Sequence, residues 1–403
     1  MYTPRVKNTV RYYLLLAFAL LFLFFSNDFG LIDVQKTAIV MAVGIDREAD
    51  AFIVTSQIAV PQASTQGKAT EAVQIVSRGK TVGEALEEIN AKTGWYPKLV
   101  FCDLIILGET AVQNNVFDAL DFFLRDEYMS DNCLVATCKG SANELLNTSA
   151  LVDPSGSVAM RKVLSSHAKR VGTVLPITLR EFAIGYFSDS KSGLLPILQA
   201  QPTEENKGKT QNANNQNGQQ NGQQGSPQKE KQSEKPLFSA RETALFVGGK
   251  QVETLNKDET FALAVLLNKL RLASYSVPLD DKTCTLTIKQ NSPKISLKTG
   301  ERNTPELSLH VTLTAGIMDL STAQSITEIS DAGKPIAGSF STAEQKLALE
   351  IQKTFLKTQA CGCDVFGVRE RWIKHQKRSL HALAPAALEN TRLDVKVTFR
   401  NIR

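Results

Sequence analysis

The sequence is poor in the residues that most enzymes and nucleic-acid binders need. Four of its 403 residues are histidine and two are tryptophan. His167, His310, His375 and His381 fall in no H-E-x-x-H or other metal spacing, and no G-x-S-x-G occurs. Gly79-Lys80-Thr81 has the ending of a phosphate loop, but Gln74 stands where the pattern requires its first glycine. No dense basic stripe interleaves with aromatics, so no nucleic-acid partner is expected. No catalytic residue, metal site or cofactor is expected either.

Cysteines are few and badly spaced for chemistry. There are six: Cys102, Cys133, Cys138, Cys284, Cys361 and Cys363. Cys133 and Cys138 are five residues apart on an extended-looking segment, too far to bridge each other. Cys361 and Cys363 form C-x-C, and no second Cys/His cluster at zinc spacing follows. Small buried thiols are the plain reading. The first cysteine is Cys102, so none follows the N-terminal apolar run where lipid attachment would need one.

That N-terminal run is what the sequence does have. Arg5, Lys7 and Arg11 precede an unbroken apolar stretch from Tyr12 to Phe25. The stretch is short for a full membrane span and fits a signal h-region. It exits through Phe24-Phe25-Ser26-Asn27-Asp28, which lacks the small residues of a cleavage site. An uncleaved anchor over 1–32, carrying Tyr12, Leu16, Leu20 and Phe25, is therefore expected, with the rest of the chain outside the cytoplasm.

Beyond it, net charge is modest at +5, and apolar (42%) and charged (22%) fractions are those of a globular protein. Residues 37–47 read as a buried strand and 51–60 as its hairpin partner. Thr81 and Glu84 have capping-box spacing, followed by Val82, Ala85, Leu86 and Ile89 on one helical face and Gly94 at the stop. A strand over 98–107, a helix carrying Val112 to Leu124, a strand over 134–137 and a Ser141/Glu144 cap follow. Helices are also expected at 158–171 and 178–184, with a strand over 194–199. Asp103 interrupts an apolar strand; an edge position or a charge partner explains it better than a site acid.

Composition collapses at 201–236, nearly all Gln, Asn, Gly, Lys, Glu and Ser, which predicts disorder. Strands over 241–247 and 251–255 flank a Gly248-Gly249 turn, so the tract reads as an insertion between pairing strands. The last third predicts strands over 284–289, 294–297, 307–317 and 393–399. It also predicts a helix capped by Ser341 and Glu344, with Leu347, Ile351, Phe355 and Leu356 facing inward. The expected architecture is α+β: three mixed α/β domains at 33–170, 171–278 and 279–403, following the N-terminal helix.

The order of several segments resembles the Ger(x)C family, the C subunits of bacterial spore-germination receptors. They are Ile39 to Arg47, Gly79-Lys80-Thr81 with Glu84-Ala85-Leu86, Leu104 to Gly108, Phe122 to Asp126, Ala136 to Ala142, and Cys363-Asp364-Val365-Phe366-Gly367. The resemblance implies a non-enzymatic subunit on the extracytoplasmic face of the spore inner membrane. It would join membrane A and B subunits and meet a small-molecule germinant only indirectly. Typical members are lipoproteins, and this chain departs from them in its anchor. A free-standing extracytoplasmic solute-binding protein is the alternative reading.

Overall fold

Two sheets organise the chain. The computed structural model describes residues 4–26, 37–59, 72–150, 153, 155–165, 172–201, 236–279, 282–320, 338–375 and 378–402. The Gln/Asn-rich tract thus lies outside the described residues, apart from its two ends.

Helix α1 (Pro4–Ser26) stands first. Tyr12, Leu16 and Leu20 are all exposed on it, and Phe25 lies in the same helix. Among the described residues no helix is long and apolar enough to cross a membrane. The expected transmembrane span is corrected accordingly: Tyr12 to Phe25 covers only about 21 Å of helix, against about 30 Å of hydrocarbon. What the fold presents is a helix whose described apolar side chains are exposed.

The first sheet has ten strands. The N-terminal elements are β1 (Thr37–Glu48), β2 (Ala51–Ala59), β3 (Ala72–Gly79), α2 (Val82–Thr93), β4 (Tyr96–Lys98), β5 (Leu104–Leu107), α3 (Glu109–Val112), α4 (Phe117–Arg125), β6 (Leu134–Cys138), α5 (Ala142–Asn147) and α6 (Gly156–Leu164). Then come β7 (Ile177–Thr178), α7 (Leu179–Phe187), β8 (Ser192–Gln201), β9 (Leu237–Val247) and β10 (Lys250–Leu255). The order is β10-β9-β8-β6-β5-β1-β2-β3, with β4 beside β1 and β7 beside β6. The β1–β5–β6 centre is parallel, and β1–β2 and β9–β10 are antiparallel hairpins.

The central strands are apolar throughout because both faces are covered. Val43, Ile45, Ile105, Leu107 and Val135 face α2, α4 and α7. The alternate residues Ala42, Leu104, Ile106 and Ala136 face α5 and α6. Strands 192–255 extend this same sheet, so segment 171–278 carries no sheet of its own. Its β8 and β9 share one ladder because the insertion joins their adjacent ends.

The second sheet, β11-β12-β13-β14, comprises Ala273–Leu279, Lys282–Thr299, Pro305–Leu320 and Arg392–Asn401. The 284–289 and 294–297 expectations merge into one long bulged strand, β12. One face packs on α9 (Ser339–Ala360) through Leu347, Ile351 and Phe355, with α10 (Val368–His375) nearby. On the other face Ser308, His310, Thr312 and Thr314 are half-buried or exposed among the described residues. Helix α8 (Lys257–Leu266) is buried from Thr260 to Leu266 without interruption, because it lies between β9 on one side and α9 and β12 on the other.

Several local expectations need correction. The 98–107 run breaks into β4 and β5, with a turn closed by the Cys102 N–H on the Leu99 carbonyl (2.8 Å), because both strands pair with β1. The 112–124 helix breaks at Gln113–Asn115, where the Asn115 side chain accepts the Phe117 N–H (3.1 Å). Helix α9 starts at Ser339 after Gly338 at φ 83°. The Ser341 hydroxyl bonds back to the Gly338 carbonyl, and Glu344 instead accepts the Phe399 N–H (2.8 Å). Leu356 is exposed, one step round from buried Phe355.

Candidate functional site

The sites that the sequence singled out prove to be structural joints. Lys80 N–H donates to the Glu84 carboxylate (2.7 Å), and Thr81 caps Glu84 N–H (3.1 Å). A carboxylate therefore occupies the place where a phosphate would be held. Asp103 pairs with Arg161. His310 is exposed on the face of the second sheet away from α9, 3.9 Å from Asp394. All six cysteines are free thiols, five of them buried. Burial pushes the Cys138 thiol up to about 12, so it is not a nucleophile at neutral pH. The Cys133 thiol is also raised, first by its hydrogen bond with the Cys102 thiol and then by burial. Among the described residues no group of three or more His, Cys, Asp or Glu could hold a metal ion.

Two carboxylates are buried and fully occupied. Asp46, at the end of β1, accepts from Ser141 Oγ (2.8 Å), Ala142 N (2.9 Å) and Asn143 N (3.0 Å) at the start of α5. A Cβ on Gly108 would lie 1.8 Å from Asp46 Oδ1, so only glycine fits there. Asp364 accepts from Ser190 Oγ (2.8 Å), Val368 N (2.7 Å) and Arg369 N (2.8 Å). Its own N–H donates to Ser192 Oγ (2.8 Å), and Arg369 Nη1 reaches the Ser190 carbonyl (3.4 Å). With three donors each, both carboxylates are committed to orientation and are not placed for proton transfer.

One cavity with both apolar and polar lining was not legible in the sequence. It lies between α2, α4 and β4, with a volume of about 620 Å³. Leu86 and Phe122 form its apolar wall; Asn90, Lys98, Asp126 and Tyr128 supply polar atoms. Lys98 Nζ sits 5.5 Å from the Tyr96 ring centroid and 4.9 Å from that of Tyr128, a cation between two aromatic faces. The sequence signal that could have found it is the aromatic pair Tyr96 and Tyr128.

Comparison with known proteins fits these joints. Residues 31–200 match the family model described as spore germination protein N-terminal domain, and residues 241–402 match that described as spore germination B3/GerAC like, C-terminal. The chain belongs to the Ger(x)C family. A solved structure, described as the crystal structure of the GerBC protein, is similar over 90% of this chain and 97% of its own, at 16% identity and a TM-score of 0.50. At that identity the likeness concerns the fold, and the mixed α/β architecture agrees. No curated protein matches the chain. In this Ger(x)C chain the segments that carried the resemblance do mechanical work. Ile39 to Arg47 supplies the central strand and the Asp46 cap; Cys363 to Gly367 supplies the Asp364 tie between the two sheets.

Proposed function

We propose that this chain is the extracytoplasmic C subunit of a spore germinant receptor. It is held at the outer face of the spore inner membrane through α1 and docked to the receptor's A and B membrane subunits, and it acts by binding and assembly rather than by catalysis. One observation carries the reading: both Ger(x)C domains follow, in the same chain, a helix whose apolar side chains Tyr12, Leu16 and Leu20 are exposed among the described residues. Arg5, Lys7 and Arg11 at its start add attraction to anionic headgroups.

The test is purification from spore membranes through a tag after Arg403. A multi-pass subunit that co-purifies with a chain still carrying residues 1–30 supports the proposal. A soluble chain beginning near residue 30, without a membrane partner, overturns it.

The cavity between α2 and α4 favours a second reading, a solute-binding module, since it combines an apolar wall with a few converging polar groups. A ligand held there raises the unfolding temperature in a panel of amino acids and sugars. A flat response across the panel removes this reading.

A further inference from the structure

One end of the ten-stranded sheet carries exposed aromatic surface that the proposed function leaves unused. Beyond α1, five aromatic side chains are exposed to solvent by a third or more among the described residues: Trp95 (36%), Tyr96 (46%), Phe101 (59%), Tyr128 (61%) and Phe187 (73%). The first four lie at the same end of the sheet. Tyr96 pairs with Thr37, the first residue of β1. Phe101 lies in the turn just before β5, and Tyr128 in the loop just before β6; β5 and β6 begin in register, Leu104 opposite Leu134. Val100 adds a further exposed apolar side chain. This is the end from which the three central parallel strands start.

The chain enters the sheet at this end. Helix α1 stops at Ser26 and β1 starts at Thr37. The ten residues between can span no more than about 35–40 Å. Whatever holds α1 therefore lies within that distance of the aromatic end. Tryptophan and tyrosine favour the headgroup layer of a bilayer, where an apolar ring and a polar edge are both satisfied. Lys98, over the Tyr96 and Tyr128 rings, adds a cation that can reach anionic headgroups from an apolar setting.

We propose that the Trp95–Phe101 segment and Tyr128 form a second membrane contact, by which the entry end of the ten-stranded sheet rests on the headgroups of the bilayer that holds α1. The inference depends on α1 being the anchor, and it commits this end to lipid rather than to protein. It makes the first sheet stand on the membrane with β1, β5 and β6 rising from it.

The two tryptophans give a direct readout, because Trp95 is exposed and Trp372 is fully buried in the second core. The full chain is reconstituted into vesicles of phosphatidylethanolamine and phosphatidylglycerol, plain or brominated near the headgroup end of the acyl chains. Carbonate-resistant association reports α1; quenching reports Trp95. The expected result is resistant association, with blue-shifted emission that bromination quenches. Trp95→Phe abolishes the quenching, and Phe101→Ser with Tyr128→Ser weakens it while Trp372 emission is unchanged. Resistant association with identical emission in both vesicles overturns the contact and leaves the anchor standing. Release of the chain by carbonate overturns both. Trp95 unquenched in vesicles, yet shielded from a soluble quencher in the co-purified complex, gives this end to a protein neighbour and overturns the lipid assignment.

Discussion

The two sheets solve the same problem in opposite ways. The first is covered on both faces, and its central strands read as unbroken apolar runs such as Leu104 to Leu107, all four buried. The second, among the described residues, is covered by helices on one face only. Along β13 the buried Leu307, Leu309, Val311 and Leu313 alternate with Ser308, His310, Thr312 and Thr314. Coverage, rather than strand propensity, explains why one half reads as a run and the other as an alternation.

The sharpest break of that comparison is one substituent placed in both sheets. Ile106→Glu puts a carboxylate between the strands and α5/α6, and should cost more than about 4 kcal/mol, enough to abolish cooperative folding. Thr312→Glu, on the other face of the second sheet, opposite Ser292 and Thr398 and one pair along from Lys294 and Lys396, should change stability by no more than about 0.5 kcal/mol. Urea titrations of the two variants check the contrast; equal costs would mean that this face of the second sheet is covered in solution.

The next effect separates the two buried carboxylates. Asp46→Ala and Asp364→Ala each strand three donors, and each should cost roughly 3 kcal/mol. Asp46 acts within the first sheet and its flanking helix, so its loss should leave one unfolding transition. Asp364 ties the second half to Ser190 of the first, so its loss should split the transition in calorimetry. A single transition in both variants would mean that the remaining contacts, α8 and the Lys357–Thr254 bond among them, suffice to couple the sheets.

The smallest effect lies inside the second core. Burial raises the Glu350 carboxyl above its ordinary range, against the Tyr275 hydroxyl that donates to it (3.0 Å) and against Lys346 (3.8 Å). A raised carboxyl binds more protons folded than unfolded. Its contribution to stability is present below the ordinary carboxylate pKa and is lost as pH rises through the raised value. Glu350→Gln keeps an acceptor for Tyr275 and lacks that titration. Its stability relative to the parent should therefore improve as pH rises from about 4, and level off once the raised carboxyl has ionised. A pH-independent difference would put the Glu350 carboxyl in its ordinary range.

Local signals in the sequence were reliable where the partner is local. The Thr81 and Ser141 caps, the Gly94 stop at φ 71° and the inward face of α2 all stand as the spacing predicts. Asp103 has a charge partner, as expected, although it precedes β5 rather than interrupting a strand. The failures share one cause. Glu344 has capping spacing but bonds to Phe399, and Asp364 meets Ser190 across 174 residues. The α2–α4 cavity likewise joins residues 83–99 with 122–128. Periodicity carries no information about such meetings. The membership of β8 to β10 in the first sheet was hidden for the same reason: the compositional break at 201–236 interrupts the sequence but not the ladder.

That ladder has a consequence for anyone who cuts the protein into pieces. The two family matches end at 200 and resume at 241, which invites expression of each as a module. Yet β8 and β9 are hydrogen-bonded from Ser192–Val247 to Gln201–Leu237. A fragment ending at 200 would carry β8 as a raw edge, open to pairing with its own copies, and a fragment starting at 241 would carry β9 and β10 as a hairpin without a sheet. Both should precipitate alone and dissolve when co-expressed. A protease that nicks the Gln/Asn-rich tract, by contrast, should leave one particle that separates into two chains only in denaturant.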